Sequence, residues 1–184
     1  EQNAYPGITN KQLAKVVDRV MLTVEDAKKH LECKNEPIVT GLPVRGEILS
    51  KDRNEARREL GIPEGKFLVL SFGGSLGAAP LNNAMHDILI ADSESENVYH
   101  IHSAGTNGTE FIEQLKSEGF EEAGEGVIKK GKSEIRQYIN NMDTCLAAAD
   151  VVIGRAGASS LSEIEALGKA SILIPSPYVA ENHQ

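Results

Sequence analysis

Tryptophan is absent from this chain of 184 residues, and four phenylalanines and four tyrosines are its whole aromatic content. The core must therefore be aliphatic, built from Leu, Ile, Val and Ala. Cysteine is nearly as scarce. Cys33 and Cys145 lie far apart, match no metal or redox spacing, and are expected to be reduced thiols of a cytosolic protein. No apolar run approaches the ~20 residues that span a bilayer, and no signal peptide is visible. Positive charge is short as well. The formal net charge is -8, and no basic cluster stands out beyond short runs such as Lys129-Lys130, which argues against nucleic acid as a partner. An anionic ligand would have to be held by local groups and not by an overall field.

What is present is ordinary for a soluble globular domain: 40% hydrophobic and 25% charged residues, with length enough for one domain with a sizeable core. The chain opens on "EQNAYPGITN" without a Met and stops on "PSPYVAENHQ" with no closing helix, so it reads as a piece of a longer protein. Residues 12–17 read as the end of a helix and 19–22 as a short strand. Thr23 and Asp26 resemble a capping box that opens a helix to about residue 31. "PIVTGLPV" reads as a strand ending in a turn, and a composition shift over 43–50 reads as a linker. Residues 51–60 are helical, with Gly61 as the stop.

From there the rhythm is regular. "FLVLSF" is a continuous apolar run, the pattern of a strand buried on both faces. A Gly-rich turn leads to a helix over 79–90, "VYHIHSA" is the next strand, 111–118 the next helix, and "GVIKKG" a short strand. Apolar residues recur at helical spacing over 135–149, as one helix or two short ones. "DVVIG" is a strand, 160–167 a helix and "ASILIP" a last strand. Alternation of strand and helix predicts parallel strands joined by right-handed crossovers, a doubly wound α/β sheet.

In such sheets ligands sit at the carboxyl ends of the strands, near helix N-termini. Two strand-to-helix turns stand out. "SFGGSLGAAP" has glycines that let a ligand approach the backbone, and the helix after it offers free N–H groups to a phosphate. It is neither a P-loop nor a dinucleotide fingerprint: no Gly-Lys-Ser/Thr follows, and no acidic residue ends the next strand. A tight turn with glycines for packing explains it equally well. In "DVVIGRAGASSLSE", Arg155 follows the strand at once and Ser159 and Ser160 lead into a helix. Arg155 and the helix N-terminus could hold a diphosphate while Glu163 accepts hydrogen bonds from sugar hydroxyls. Alternatively, Ser160-x-x-Glu163 is a capping box and Arg155 a surface ion pair. His100 and His102 share one face of a strand, which could suit a metal, but no third ligand converges, so packing or a surface position is the simpler reading. His30 and His86 read as helix-surface residues, and His183 as a loop residue better placed to touch a ligand.

Taken together, "EQNAYPGITN", "GLPVRGEIL", "SFGGSLGA" and "ADVVIGRAGASSLSEIEALGKASILIPSPYVAENHQ" closely resemble the MurG family of membrane-associated N-acetylglucosaminyltransferases, over essentially the whole chain and in the right order. The resemblance implies a two-domain GT-B fold, of which this chain looks like the C-terminal, donor-binding half. Residues 1–45 would be the interdomain connection and first elements of that domain. Residues 46–184 would be the Rossmann-like UDP-sugar domain, mostly parallel and incomplete at its C-terminus. It implies UDP-N-acetylglucosamine as donor and lipid I as acceptor in peptidoglycan synthesis, no cofactor or metal, and a place at the cytoplasmic face of the bacterial membrane by peripheral contact. It also implies roles. Gly74 and Ser75 would face the diphosphate and Arg45 would lie near the nucleotide. The backbone around Ile139 would read the uracil edge. Ala158, Ser159 and Ser160 would present helix amides to phosphate and sugar, beside Arg155. Glu163 would bind the ribose, and His183 and Gln184 would approach the sugar hydroxyls. His183 stands where the family has glutamine, as does Leu76 in the "GGSQGA" form. The family's general base precedes this chain, so the chain alone is expected not to catalyse transfer. The alternatives are a UDP-sugar epimerase or another GT-B transferase such as a glycolipid glucosyltransferase, a non-catalytic donor-binding subunit, and a nicotinamide-binding domain.

Overall fold

The apolar run at 67–72 folds as a strand buried along nearly its whole length, and the main sheet is laid down on both sides of it. The computed structural model describes residues 1–177, which form two compact units. One comprises Glu1–Val44, Ala156–Ser162 and the stretch from Pro175; the other comprises Arg45–Arg155 and Glu163–Ile174.

In the first unit, α1 (Ile8–Ala14) precedes β1 (Met21–Leu22), a 3₁₀ turn over Glu25–His30 and β2 (Ile38–Val39), which runs parallel to β1. The strand expected over 37–44 is thus cut to two residues. The expected capping box does not form either. Val24 precedes the turn and no side chain caps it, because the Asp26 carboxylate is taken by Lys29, one turn on.

The second unit begins with α2 (Gly46–Ser50) and α3 (Arg53–Glu59), the latter capped by Asp52, whose carboxylate accepts from the Glu55 amide at 2.8 Å. Then come β3 (Phe67–Phe72), α4 (Ala79–Ser93), β4 (Val98–Ser103), α5 (Thr109–Ser117), β5 (Glu121–Gly124), β6 (Val127–Lys130), β7 (Ser133–Arg136), α6 (Met142–Ala148), β8 (Val151–Gly154), α7 (Ala158–Ala166) and β9 (Ala170–Leu173). The division between the units passes within α7. The sheet order is β5-β6-β7-β4-β3-β8-β9. The five strands from β7 to β9 in that order are parallel, as a doubly wound fold requires.

Two expectations fail at one edge. β5, β6 and β7 form an antiparallel meander, where unbroken alternation predicts crossovers. The links between these strands are two residues long, far too short for a crossover helix, and Gly126 and Gly131 supply the positive φ such turns need (67° and 52°). The helix expected from residue 135 is also displaced. Ser133 and Ile135 are buried in alternation on β7, a period of two, and the helix starts only at Met142. The core behind the sheet is aliphatic with a little Phe: Leu81, Met85 and Leu89 of α4 pack with Phe111 and Leu115 of α5 and with Ile135.

Asp150, just before β8, fastens the amino ends of the strands. One carboxylate oxygen accepts from the Leu68 amide at 2.7 Å and from Arg57 at 3.0 Å, and the other accepts from Arg53 at 2.5 Å. Arg57 is itself buried and also donates to the carbonyls of Ala148, Pro63 and Lys66. Burial alone would raise the Asp150 carboxyl, but the Leu68 amide and the two guanidinium groups outweigh it and hold it below the ordinary 3.8. A depressed carboxyl contributes stability that is present above that ordinary value and disappears as pH falls through the lower folded one. Asp150→Asn should therefore lose about 2 kcal/mol at pH 7. In denaturant melts its deficit against the parent should close as the pH is taken below 3.8; a deficit independent of pH would contradict this origin.

Candidate functional site

The register of the parallel strands aligns their carboxyl ends. Phe72 pairs with Ser103 and with Gly154, and Ser103 pairs with Arg136. The residues that follow, Gly73, Ala104, Gln137 and Arg155, accordingly leave the sheet along one edge. Ligands of doubly wound domains bind at this edge.

The loop after β3 is set against the loop after β4. The Thr106 amide donates to the Ser75 carbonyl and the Asn107 amide to the Leu76 carbonyl, both at 3.1 Å. Between them Gly77, at φ 84°, lies so close to Ala104 that a Cβ on it would meet the Ala104 carbonyl oxygen at 2.1 Å. Gly74 also has positive φ, 92°, but open space around it. Gly74 and Ser75 are exposed at the loop's crest. The loop runs into α4, whose preceding residue, Ala78, provides no side-chain cap and whose first turn carries Pro80. The Leu81 and Asn82 amides both donate to the Ala78 carbonyl at 2.9 Å and Pro80 has none to give, so what that end offers an anion is its positive dipole and the amides at its very start. A cleft of about 380 Å³ opens here, with walls including Gly77, Ala78, Asn82, Asn107, Gly108 and Phe111. A larger cavity, about 680 Å³, lies at the opposite end of the strands beside Arg53, Arg57, Arg58, Lys66 and Asp150. Two of its cations are consumed by Asp150, and it lies off the edge where such folds bind.

The other expected residues fall as follows. Arg45 immediately precedes α2, and its guanidinium reaches the Glu163 carboxylate at 3.4 Å. The sequence separates this pair by more than a hundred positions and gives no sign of it. Glu163 is not part of a capping box. α7 begins at Ala158, which puts Ser160 inside the helix and leaves Glu163 a turn too far along to reach back to its start. Ala158, Ser159 and Ser160 make up the helix's first turn. Arg155 donates to the Ile174 carbonyl at 3.2 Å, while the Ile174 amide donates to Gly154, so the guanidinium also ties together the ends of β8 and β9. The side chain of Ile139 is buried in the core, leaving its backbone for any ligand. His183 and Gln184 lie outside the described residues. Among the described residues no three His, Cys, Asp or Glu side chains gather as for a metal ion, and no helix is long and apolar enough to cross a membrane. His100 and His102 are fully buried and hydrogen-bonded within the sheet.

A doubly wound sheet, two glycine turns at its carboxyl edge and an uncapped helix start define a Rossmann-like class of α/β domain. The model of the glycosyltransferase family 28 C-terminal domain matches residues 68–184, and the chain belongs to that family. It is 44% identical to the UDP-N-acetylglucosamine–N-acetylmuramyl-(pentapeptide) pyrophosphoryl-undecaprenol N-acetylglucosamine transferase of Desulforudis audaxviator, over all of this chain and 48% of that protein. Its identity to the transferase of the same name from Acetivibrio thermocellus is 42%, over 100% and 47%. The chain thus spans about half the length of the curated relatives it matches. Among solved structures, Acinetobacter baumannii MurG aligns with a TM-score of 0.66 at 27% identity, over 100% of this chain and 46% of that one. A kitacinnamycin glycotransferase, at 17% identity and TM-score 0.57 over 97% and 41%, shares the fold.

The two positive-φ glycines of the loop after β3 separate by substitution. Gly74→Ala has only its backbone angle to overcome and should cost about 1 kcal/mol. Gly77→Ala must also push the Ala104 carbonyl away and should cost about 3 kcal/mol. Equal losses in thermal melts would contradict the close packing of the two loops.

Proposed function

We propose that this chain is the donor-binding half of an inverting N-acetylglucosaminyltransferase, one that moves N-acetylglucosamine from UDP-N-acetylglucosamine to lipid I and so forms lipid II for peptidoglycan. The observation that carries the reading is the loop Gly73–Ala78, pressed against the Ala104 carbonyl and opening into an uncapped helix. Family membership and the names of the relatives support it.

In this reading residues 46–184 are the donor domain and residues 1–45 its connection to the acceptor half. Gly74 and Ser75 meet the diphosphate, with the amides of Ala158, Ser159 and Ser160 and the Arg155 guanidinium beside it. Glu163, oriented by Arg45, accepts from the ribose hydroxyls, the backbone at Ile139 reads the uracil edge, and His183 and Gln184 face the sugar. The acceptor's hydroxyl oxygen attacks the anomeric carbon and the bond to the diphosphate oxygen breaks. UDP leaves with the electron pair, and the hydroxyl proton passes to a base of the acceptor half. This chain's task is to stabilise the charge that grows on the leaving diphosphate, which helix amides and a guanidinium do by electrostatics. The complete enzyme would work as a peripheral protein at the cytoplasmic face of the membrane, where its lipid-linked acceptor lies.

Calorimetric titration with UDP-N-acetylglucosamine, UDP-glucose, UDP and NAD tests this. UDP and its N-acetylglucosamine ester should bind and NAD should not. No heat from UDP or its sugars, in a sample folded by circular dichroism, overturns the reading. Glu163→Gln should raise the Kd for UDP about tenfold, one charge-assisted hydrogen bond. Its effect on Tm should be small, because the ion pair with Arg45 is largely exposed on the arginine side. A lowered Tm with unchanged Kd would reduce Glu163 to a structural residue.

A further inference from the structure

Behind the glycine loop runs a buried line of polar side chains that the proposed chemistry does not use. Asp92 of α4 meets His100 of β4 at 2.8 Å, between Oδ2 and Nδ1. The other nitrogen of His100, Nε2, lies 2.7 Å from the Ser71 hydroxyl of β3, and the same hydroxyl lies 2.7 Å from His102 Nδ1. His102 Nε2 lies 3.2 Å from Asn82 Oδ1, and Asn82 Nδ2 donates to the Ala104 carbonyl at 2.9 Å. Ser71, His100 and His102 have no exposed surface, and Asn82 keeps 3%.

The line can be read proton by proton from its fixed end. A carbonyl only accepts, so Asn82 must turn its NH₂ to Ala104 and its oxygen to His102. His102 Nε2 must then carry a hydrogen. Were the line to hold only one proton per imidazole, with Asp92 ionised and accepting from His100 Nδ1, His100 Nε2 would be bare. The Ser71 hydrogen would go to it, Ser71 could accept only from His102 Nδ1–H, and two lone pairs would face each other at Asn82. One proton more removes the conflict. It belongs to the Asp92–His100 pair, where a carboxylate and an imidazole nitrogen can share it. His102 is met by Ser71, Asn82 and the edge-on rings of Phe111 and His100, and burial first, then the charge of His100, drives it down to about 3. Every bond then donates in one direction, from the Asp92–His100 pair through Ser71 and His102 to Asn82 and the Ala104 carbonyl. Asp92, His100 and Ser71 stand in the order of a hydrolytic triad, but the Ser71 hydrogen is committed to His102 and solvent cannot reach it.

We propose that this line is a positioning relay for the diphosphate loop, in which Ser71, His100 and His102 orient Asn82 so that it holds the Ala104 carbonyl where Gly77 packs. The proposal rests on the reading of Gly73–Ala78 as the diphosphate loop. Asn82 lies in the first turn of α4 and Ala104 opens the loop that binds the Ser75 and Leu76 carbonyls through Thr106 and Asn107, so the relay sets both walls of the site.

Long-range ¹H–¹⁵N correlation on the intact ¹⁵N-labelled chain at pH 7 reads the ring nitrogens directly. His102 should show a protonated Nε2 and a bare Nδ1, and His100 should carry a hydrogen on Nε2. A hydrogen on His102 Nδ1, or a bare His100 Nε2, overturns the relay. Ser71→Ala, which cuts the line at its middle, should raise the Kd for UDP about tenfold, one hydrogen bond to a charged group, and leave that for uridine, which lacks the diphosphate, unchanged. Ser71→Thr, which keeps the hydroxyl, should restore UDP binding. Equal losses for UDP and uridine, or none, overturn the positioning role. A parent chain that binds no UDP overturns the donor-site reading, and the nitrogen spectrum still decides the relay, whether or not the alanine variant folds.

Discussion

The contact between Gly77 and the Ala104 carbonyl is the constraint on which the carboxyl edge of the sheet depends. Without a Cβ at 77 the loop after β3 comes down onto the loop after β4, and two backbone hydrogen bonds, from Thr106 and Asn107, close the seam. α4 starts from that seam with no side-chain cap. From the other side, Asn82 holds the same carbonyl. The diphosphate site proposed for this edge needs donors fixed before the charge arrives, and backbone packing fixes the loop that would supply them.

The opposite end of the strands shows a different solution. There Asp150, Arg53 and Arg57 use charge to join α3 to the starts of β3 and β8, and the cavity beside them is larger than the one at the carboxyl edge. Size does not choose between the two. Arg53 and Arg57 at the amino end already have Asp150 as a partner, whereas the helix start at the carboxyl edge has none from its capping residue.

How much of this could be read from the chain depends on range. "FLVLSF" was legible residue for residue as β3, because a two-sided buried strand leaves an unbroken apolar run. The parallel centre of the sheet followed from the alternation of elements. The meander was not legible, since nothing in "GVIKKG" distinguishes an antiparallel edge from another crossover, and Ile135 fell by chance in step with a helical series. Of the candidate site, both glycine turns and the position of Arg155 were visible locally. The Arg45–Glu163 pair was not, because it joins distant segments. The capping-box reading of Glu163 failed because α7 begins at Ala158, three residues before a helix capped by Ser160 would. The buried histidines show the same limit: a period of two announces one face of a strand, but only the register of β3 against β4 places Ser71 between them.

Together these features describe a Rossmann-like domain with the Gly73–Ala78 loop and Arg155 following strands at one sheet edge, in a family of glycosyltransferase C-terminal domains. The most direct measurement is a map of backbone amide shifts as UDP is titrated into the ¹⁵N-labelled chain. The largest and earliest changes should fall on Gly73–Ala78 and at Arg155 and Glu163. Changes gathered instead around Arg53, Arg58 and Lys66, at the amino ends of the strands, would contradict it.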